Sequence, residues 1–387
     1  MNQRFLRGAA VVSLAMPAAS SLLSQSPLSG PRSVELAPVF ESWRFATTTP
    51  DSVKSAQQLS LPIAGSLSLG SSWRLDAYTA YSWGQVVVKE GGRERAIQLN
   101  GLTDARLRAS ARLHGDDLLA TFGANVPIGK TELTPGELRA VRVLGAPALR
   151  FQTPGLGQGA GGTLGLVGAR HLGETTVGAG VSGEYRGRYA PVEAATLGVA
   201  TLDPGPALRL SVGVDHLVGE NRLEISLSST LYGMERLTRT QGGTTTTLRP
   251  GATWTTELHY DLASAWLDEG SLFAYDHYRS NYRNESGRTV AGTTGNELDL
   301  GGLALRRVSR TTALLAGFTG RWHTGLKVDE TLATAAVLSA GAHLGLAVSA
   351  GSMQVRPMIG GEYGTFDSGG RRVNGRRIDV SLAIVAR

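Results

Sequence analysis

Residues 104–114 read DARLRASARLH, and this stretch decides the fold. Ala105, Leu107, Ala109, Ala111 and Leu113 alternate with Asp104, Arg106, Arg108, Ser110, Arg112 and His114. On a strand, successive side chains point to opposite faces, so one face is apolar and the other carries the charges. On a helix the same arginines would scatter around the axis and leave no apolar stripe.

The alternation recurs along the chain. Trp73, Leu75, Ala77, Tyr81 and Trp83 are set against Arg74, Asp76 and Ser82; Leu208, Leu210, Val212 and Val214 against Arg209, Ser211 and Asp215. Trp254, Leu258 and Tyr260 alternate with Thr255, Glu257 and His259, and near the end Ile378, Val380, Leu382 and Ile384 alternate with Asp379 and Ser381. Residues 272–282 and 297–305 read ambiguously, as bulged strands would.

The connections alternate as well. Tight links are expected at Gly70–Ser72, His114–Asp117, Leu172–Glu174, Leu217–Asn221, Val308–Thr311 and Ser349–Ser352, with a somewhat longer one at Ala263–Gly270. Between them fall long stretches, polar or rich in glycine, at 84–101, 127–158, 188–206, 235–250, 283–296, 324–332 and 364–375. Two strands per long loop is a hairpin repeat. One segment inside the longest loop reads as a helix: in LTPGELRAVRVL, Thr134 is the N-cap, Pro135 the first residue and Glu137 the partner of a capping box.

A bilayer offers no water to open strand edges, so a spanning sheet must close on itself. Its mark is alternating segments of about 10 residues joined by short turns on one side and long loops on the other. A soluble sandwich or propeller would need larger core residues than the many Ala and Gly here, and would not alternate its connections. The expectation is an all-β chain, a transmembrane antiparallel up-and-down β-barrel of 16 strands (14 if one has been split) with a short helix in one loop. Val34–Phe45 supplies the sixteenth strand. Trp73, Trp83 and Trp322, at strand ends, are expected in aromatic girdles. The final residue is Arg387 rather than the aromatic with which many such barrels end.

Composition agrees. The 387 residues carry a net charge of +6 and no cysteine, which excludes disulfides, thiolate metal sites and a cysteine nucleophile and gives no ground for a nucleic-acid partner. Arg4 and Arg7 precede an apolar run and a small, polar exit, the pattern of a secretory signal; residues 1–26 are expected to be the signal and 27–387 the barrel. Outer-membrane lipid, the barrel-assembly machinery and a small solute, which the sequence does not name, are the expected partners. Gly129-Lys130-Thr131 resembles the end of a phosphate-binding loop, but that motif needs glycine where Ala124 stands, and Pro127 deletes an N–H donor. The seven histidines show no metal spacing and there is no Gly-x-Ser-x-Gly elbow. Asp276-His277 could form half of a catalytic site, but the nearby Phe273, Tyr275, Tyr278 and Tyr282 read better as a rim girdle. No catalytic residue, metal or cofactor is expected, and the chain is not read as an enzyme.

GLTDARLRASARL followed by LLATFGANVPIGKTELT resembles the signature of the long-chain fatty-acid transporter superfamily and its relatives linked to aromatic-compound degradation. The matching residues are Gly101, Asp104, Pro127, Gly129 and Lys130. The resemblance implies an outer-membrane barrel and a hydrophobic solute, although no counterpart of that family's N-terminal hatch precedes the barrel here.

If the apolar set faces lipid, the other set lines the lumen. That places Arg74, Asp76, Asp104, Arg106, Arg108 and Arg112 inside in the first third of the chain. Glu184, Arg186, Arg209, Asp215, Glu224 and Glu257 follow, then Arg321, Arg356 and Glu362. Rings of both signs select solutes by charge; Arg106, Arg108 and Arg112 form an anion-favouring ladder. The readings that remain are a channel or uptake protein for small solutes, a plugged lumen filled by structural ion pairs, and a surface-exposed structural or adhesive barrel.

Overall fold

The computed structural model describes residues 32–46, 52–113, 117–153, 155–191, 199–239, 243, 245–324, 334–368 and 371–386. The expected signal, residues 1–26, lies outside them. In chain order the strands begin with β1 (Arg32–Leu36), β2 (Val39–Ala46), β3 (Ser52–Leu69), β4 (Trp73–Glu90), β5 (Arg93–Leu102), β6 (Ala105–Leu113) and β7 (Leu118–Val126). Helix α1 (Pro135–Leu144) follows, then β8 (Gly161–Leu172), β9 (Thr175–Arg186), β10 (Val199–Asp203), β11 (Ala207–Val218), β12 (Asn221–Tyr232), β13 (Glu235–Arg239) and β14 (Thr245–Arg249). The remainder are β15 (Thr253–Ser264), β16 (Leu267–Arg279), β17 (Tyr282–Asn284), β18 (Thr289–Val290), β19 (Gly295–Arg307), β20 (Thr312–Thr324), β21 (Thr334–Ala350), β22 (Met353–Ser368) and β23 (Arg371–Ala386).

Eighteen of these strands make one antiparallel sheet that closes where β23 pairs with β1 and β2. Two staves of the barrel are interrupted. β1 and β2 pair with the same two neighbours on either side of Ala37-Pro38, and β5 and β6 both pair with β4 on either side of Thr103-Asp104. Pro38 has no N–H to give the ladder, yet its carbonyl still accepts from Leu382 N at 3.0 Å. Counting each interrupted stave once, the barrel has the expected sixteen staves, and β1 with β2 is the one expected at Val34–Phe45.

The expected alternation becomes two faces. Val34, Ile63, Leu164, Leu338, Leu344, Ile359 and Ile378 are all exposed on the outer face. A continuous belt of large apolar side chains is incompatible with water over so wide a surface and matches the lipid-facing band of a transmembrane barrel. Trp73 and Trp322 lie outward at opposite ends of their strands. The fold is therefore a membrane-spanning barrel of the outer-membrane type. No helix among the described residues is long and apolar enough to cross a membrane.

Several loops are shorter than expected because the strands run on past the bilayer. At 84–101 the ladder continues to Glu90 and resumes at Arg93, with only Gly91-Gly92 turning at positive φ; inward-facing Val86, Val88 and Ile97 stay in strand form because a loop covers them. At 364–375, β22 reaches Ser368 and β23 starts at Arg371; at 263–270 the link is only Ala265-Trp266. The ambiguous residues 272–282 and 297–305 pair without a register shift from Glu269↔Leu305 to Arg279↔Gly295. The stretches 188–206, 235–250 and 283–296, with Tyr282 just before the last, hold the five short strands of a second sheet, β10-β13-β14-β17-β18. Residues 325–333 and most of the turn at 114–117 lie outside the described residues.

Candidate functional site

The longest loop, 127–160, does not extend outward. It folds back into the barrel. Thr134 caps α1 as expected, accepting from Glu137 N while the Glu137 carboxylate accepts from Thr134 N (3.1 Å). Desolvation pushes the Glu137 carboxyl up, but the hydrogen bonds from Lys130 and Thr134 outweigh it and hold the group below the ordinary range. The helix buries Ala140, Val143 and Leu144 against Trp43, Phe45, Val86, Val88 and Phe366 of the wall. Phe366 meets Trp43 and Phe45 edge-on, each at 5.3 Å. Each fully buried residue such as Leu144 stabilises the insertion by about 1.5–3 kcal/mol.

The segment after the helix is fastened by polar contacts. Trp43 Nε1 donates to Leu149 O at 2.8 Å; Gln58 Nε2 donates to Thr153 O at 2.7 Å and its Oε1 accepts from Thr153 N at 2.8 Å. Gln152 N donates to Glu41 at 2.7 Å, and Arg150 ion-pairs with Asp299 and, at 3.4 Å, with Glu297. Arg150 takes a left-handed backbone (φ 52°), a sparsely populated region for a residue with a side chain; its buried ion pairs are made from this conformation.

The five residues of the resemblance converge at the neck of this loop. Asp104 lies at the break between β5 and β6, buried, and accepts from Gly129 N (3.0 Å), Asn125 Nδ2 (2.9 Å) and Gln158 N (2.6 Å). It thus ties both limbs of the loop together. A Cβ on Gly129 would stand 2.7 Å from both Asp104 N and Leu156 O, so no larger residue fits there without moving backbone. Pro127 follows the last residue of β7, Gly101 lies against Leu156 and Lys130, and Lys130 donates to Glu137.

Beneath and beside the loop lies a charge network. Arg377 ion-pairs with Glu41, with Glu362 (3.4 Å) and with Asp379 (3.7 Å); Arg321 reaches Glu362 (3.6 Å); His323 and His343 contact Asp299 (3.3 Å) and Asp379 (3.5 Å). A cavity of ≈ 70 Å³ remains here, bordered by Glu41, Gln152, Arg321 and Arg377. Of the residues selected from sequence, this part holds Arg321 and Glu362; Arg356, lower on β22, donates to Gln354 at 2.6 Å.

A further charged stretch of the wall runs from the short-turn end of β4, whose other end carries the covered Val86 and Val88, through β6 to β16. Register places Arg106, Arg108 and Arg74 on its inward face, opposite Tyr78, Asp76 and Ser110. Arg74 pairs with Asp76 at 2.8 Å, and Arg106 and Arg112 are exposed. Higher on β9, Arg186 pairs with Glu184 (3.4 Å); Arg209 donates to Ser228 (3.0 Å), and Glu257 stands opposite Tyr275. Near the short turns, Arg222 bridges Asp215 (2.7 Å) and Glu224 (2.9 Å). Arg222, Glu41, Glu297, Asp299 and Arg377 were missed from sequence, although each falls on the polar set of its strand. Arg150 was missed because loop residues have no alternating partner to flag them.

One rejected alternative falls on geometry, and one expectation is corrected. Asp276 and His277 point to opposite faces, Asp276 accepting from Asn296 (2.8 Å) and His277 contacting Thr255 (2.9 Å), so they form no acid–base pair. The aromatic group near them is not a single rim girdle either: Phe273 and Tyr275 lie on the lumen side, and only Tyr278 joins Trp254 outside. Adjacent strand residues cannot share a face.

No protein-family model and no curated protein matches the chain. The chain is similar to several solved structures at low identity. Pseudomonas putida OprB at high pH is 11% identical, with a TM-score of 0.45, covering 92% of this chain and 94% of its own. Pseudomonas aeruginosa OccK11 is 10% identical (TM-score 0.41; 92% and 96% covered), and the CymD monoaromatic hydrocarbon channel 12% identical (0.40; 97% and 94% covered).

Proposed function

We propose that the protein is an outer-membrane channel for small solutes, favouring anionic ones, with its cross-section set by the inserted loop 127–160. The observation that carries this reading is the division of the lumen. The loop packs on part of the wall, through Trp43, Gln58 and Asp299, while Arg106 and Arg112 of β6 remain exposed. Water-exposed guanidinium groups inside a low-dielectric cylinder attract anions along it. Arg74, Arg108, Arg186 and Arg209 extend the row, while Asp76, Glu184, Asp215, Glu224 and Glu257 moderate it. Export by the N-terminal signal, assembly by the barrel-assembly machinery and kinship with the fatty-acid and aromatic-compound transporters belong to the same proposal; the neck built from Gly101, Asp104, Pro127, Gly129 and Lys130 supports the kinship.

Conductance in planar bilayers tests it. Unit steps with anion preference are expected, and Arg106, Arg108 and Arg112 replaced together by Glu should reverse that preference. A silent membrane would instead favour a plugged structural barrel, a reading for which the filled part of the lumen and the second sheet speak. Unchanged selectivity would remove the three arginines from the path.

A further inference from the structure

Above the barrel, on the side of the long loops, the second sheet has two unlike faces. Glu235, Leu237, Leu248 and Tyr282 are half-buried, and Glu235 lies within electrostatic reach of Arg186 on the lumen wall. This face looks over the pore mouth. Arg236, Arg249 and Arg283 each follow one of these residues in sequence, so they point the other way, and all three are exposed. Their face is turned away from the mouth.

Arg249 stands directly opposite Arg283 in the β14–β17 pairing. Like charges facing each other across a ladder destabilise it, and among the described residues neither guanidinium has an ion-pair partner. The nearby acids do not offset them. Asp203, opposite Arg236, is engaged by Arg188 at 3.6 Å, and Glu285 lies in the turn beyond Arg283. The pair also lies just beyond the aromatic end of the wall, on the side of the long loops. Trp254 and Tyr278, outward and exposed, have ring centroids 5.7 Å apart, and Arg249 and Arg283 each lie five residues further from the membrane along the chain. Amphipathic aromatic rings settle at headgroup level, which sets the arginines at the height of the polar groups above it.

We propose that this face binds the phosphate groups of anionic lipid headgroups in the leaflet from which the loops emerge. Arg249 and Arg283 share one phosphate, and Arg236 lies beside them. Guanidinium forks match phosphate oxygens in pairs, and an anion between the two arginines removes the repulsion that the pairing otherwise leaves.

Native mass spectrometry of the full barrel in detergent, titrated with diphosphorylated lipid A, with the dephosphorylated lipid and with inorganic phosphate, tests this. The parent protein should retain the phosphorylated lipid, and the dephosphorylated form should bind weakly. Arg249→Gln with Arg283→Gln should weaken retention about thirty-fold, and Arg236→Gln alone about five-fold. Arg307→Gln with Arg310→Gln, on the opposite rim, should change nothing. Without lipid the first double variant should melt no lower than the parent, since its cross-strand repulsion is gone. Equal retention by that variant, or of the dephosphorylated lipid, would overturn the proposal. Displacement by inorganic phosphate at the same concentration as the lipid would overturn the lipid assignment. Conductance should be untouched throughout, so failure here is separable from failure of the channel reading.

Discussion

Glu41 on the first stave accepts from Arg377 on the last, and the same carboxylate accepts from Gln152 N of the inserted loop at 2.7 Å. One buried side chain therefore serves both the seam that closes the barrel and the segment that narrows it. Glu41→Ala leaves Arg377 without its seam partner but still beside Glu362 and Asp379, so the cost should stay below the about 3–5 kcal/mol of a buried charge left uncompensated. The temperature at which the folded band is lost in heat-modifiable electrophoresis should fall clearly. Glu41→Gln, which keeps an acceptor, should fall less.

Asp104 acts on the loop and not on the seam. Asp104→Ala removes an acceptor from Gly129 N, Asn125 and Gln158 N, and hydrogen bonds to a charged group contribute about 1.5–3 kcal/mol each. Single-channel records should show larger or noisier steps with the barrel's melting temperature nearly unchanged. Gly129→Ala, by crowding Asp104 N and Leu156 O, should give the same phenotype.

The outer belt predicts a cost for charge at mid-bilayer. Leu344 is 63% exposed on β21, well away from either end of the strand. Leu344→Arg should destabilise folding into vesicles by about 2–4 kcal/mol, read as a shift in the urea midpoint.

Acid should loosen α1 before the wall. Because hydrogen bonds from Lys130 and Thr134 outweigh desolvation, Glu137 is depressed below its ordinary value of 4.5. Its contribution is complete above that value and is lost as pH falls through the lower, folded one. Hydrogen exchange at the first turn of α1 should accelerate only below about pH 4.5. Glu137→Gln should exchange faster at neutral pH and lose the acid dependence.

The wall was readable because lipid and water impose period two on every stave, as 104–114 displays. The capped helix was readable because Thr134, Pro135 and Glu137 are local signals. The direction in which loop 127–160 folds was not, since its partners are far away in sequence. A trace was present: Trp43, Phe45, Val86, Val88 and Phe366 are apolar residues on the polar set, and an inward face turns greasy only where something covers it. Strand ends were misjudged for the same reason, because tertiary cover keeps a ladder going beyond the membrane.

Asp104 holds Gly129 on the way in and Gln158 on the way out, so the intervening chain is a lasso drawn shut at one knot. Its loop-closure entropy is met at that knot. The lasso is also moored to the hull at Glu41, Trp43, Gln58 and Asp299, so the width of the passage is set jointly by the knot and by those moorings.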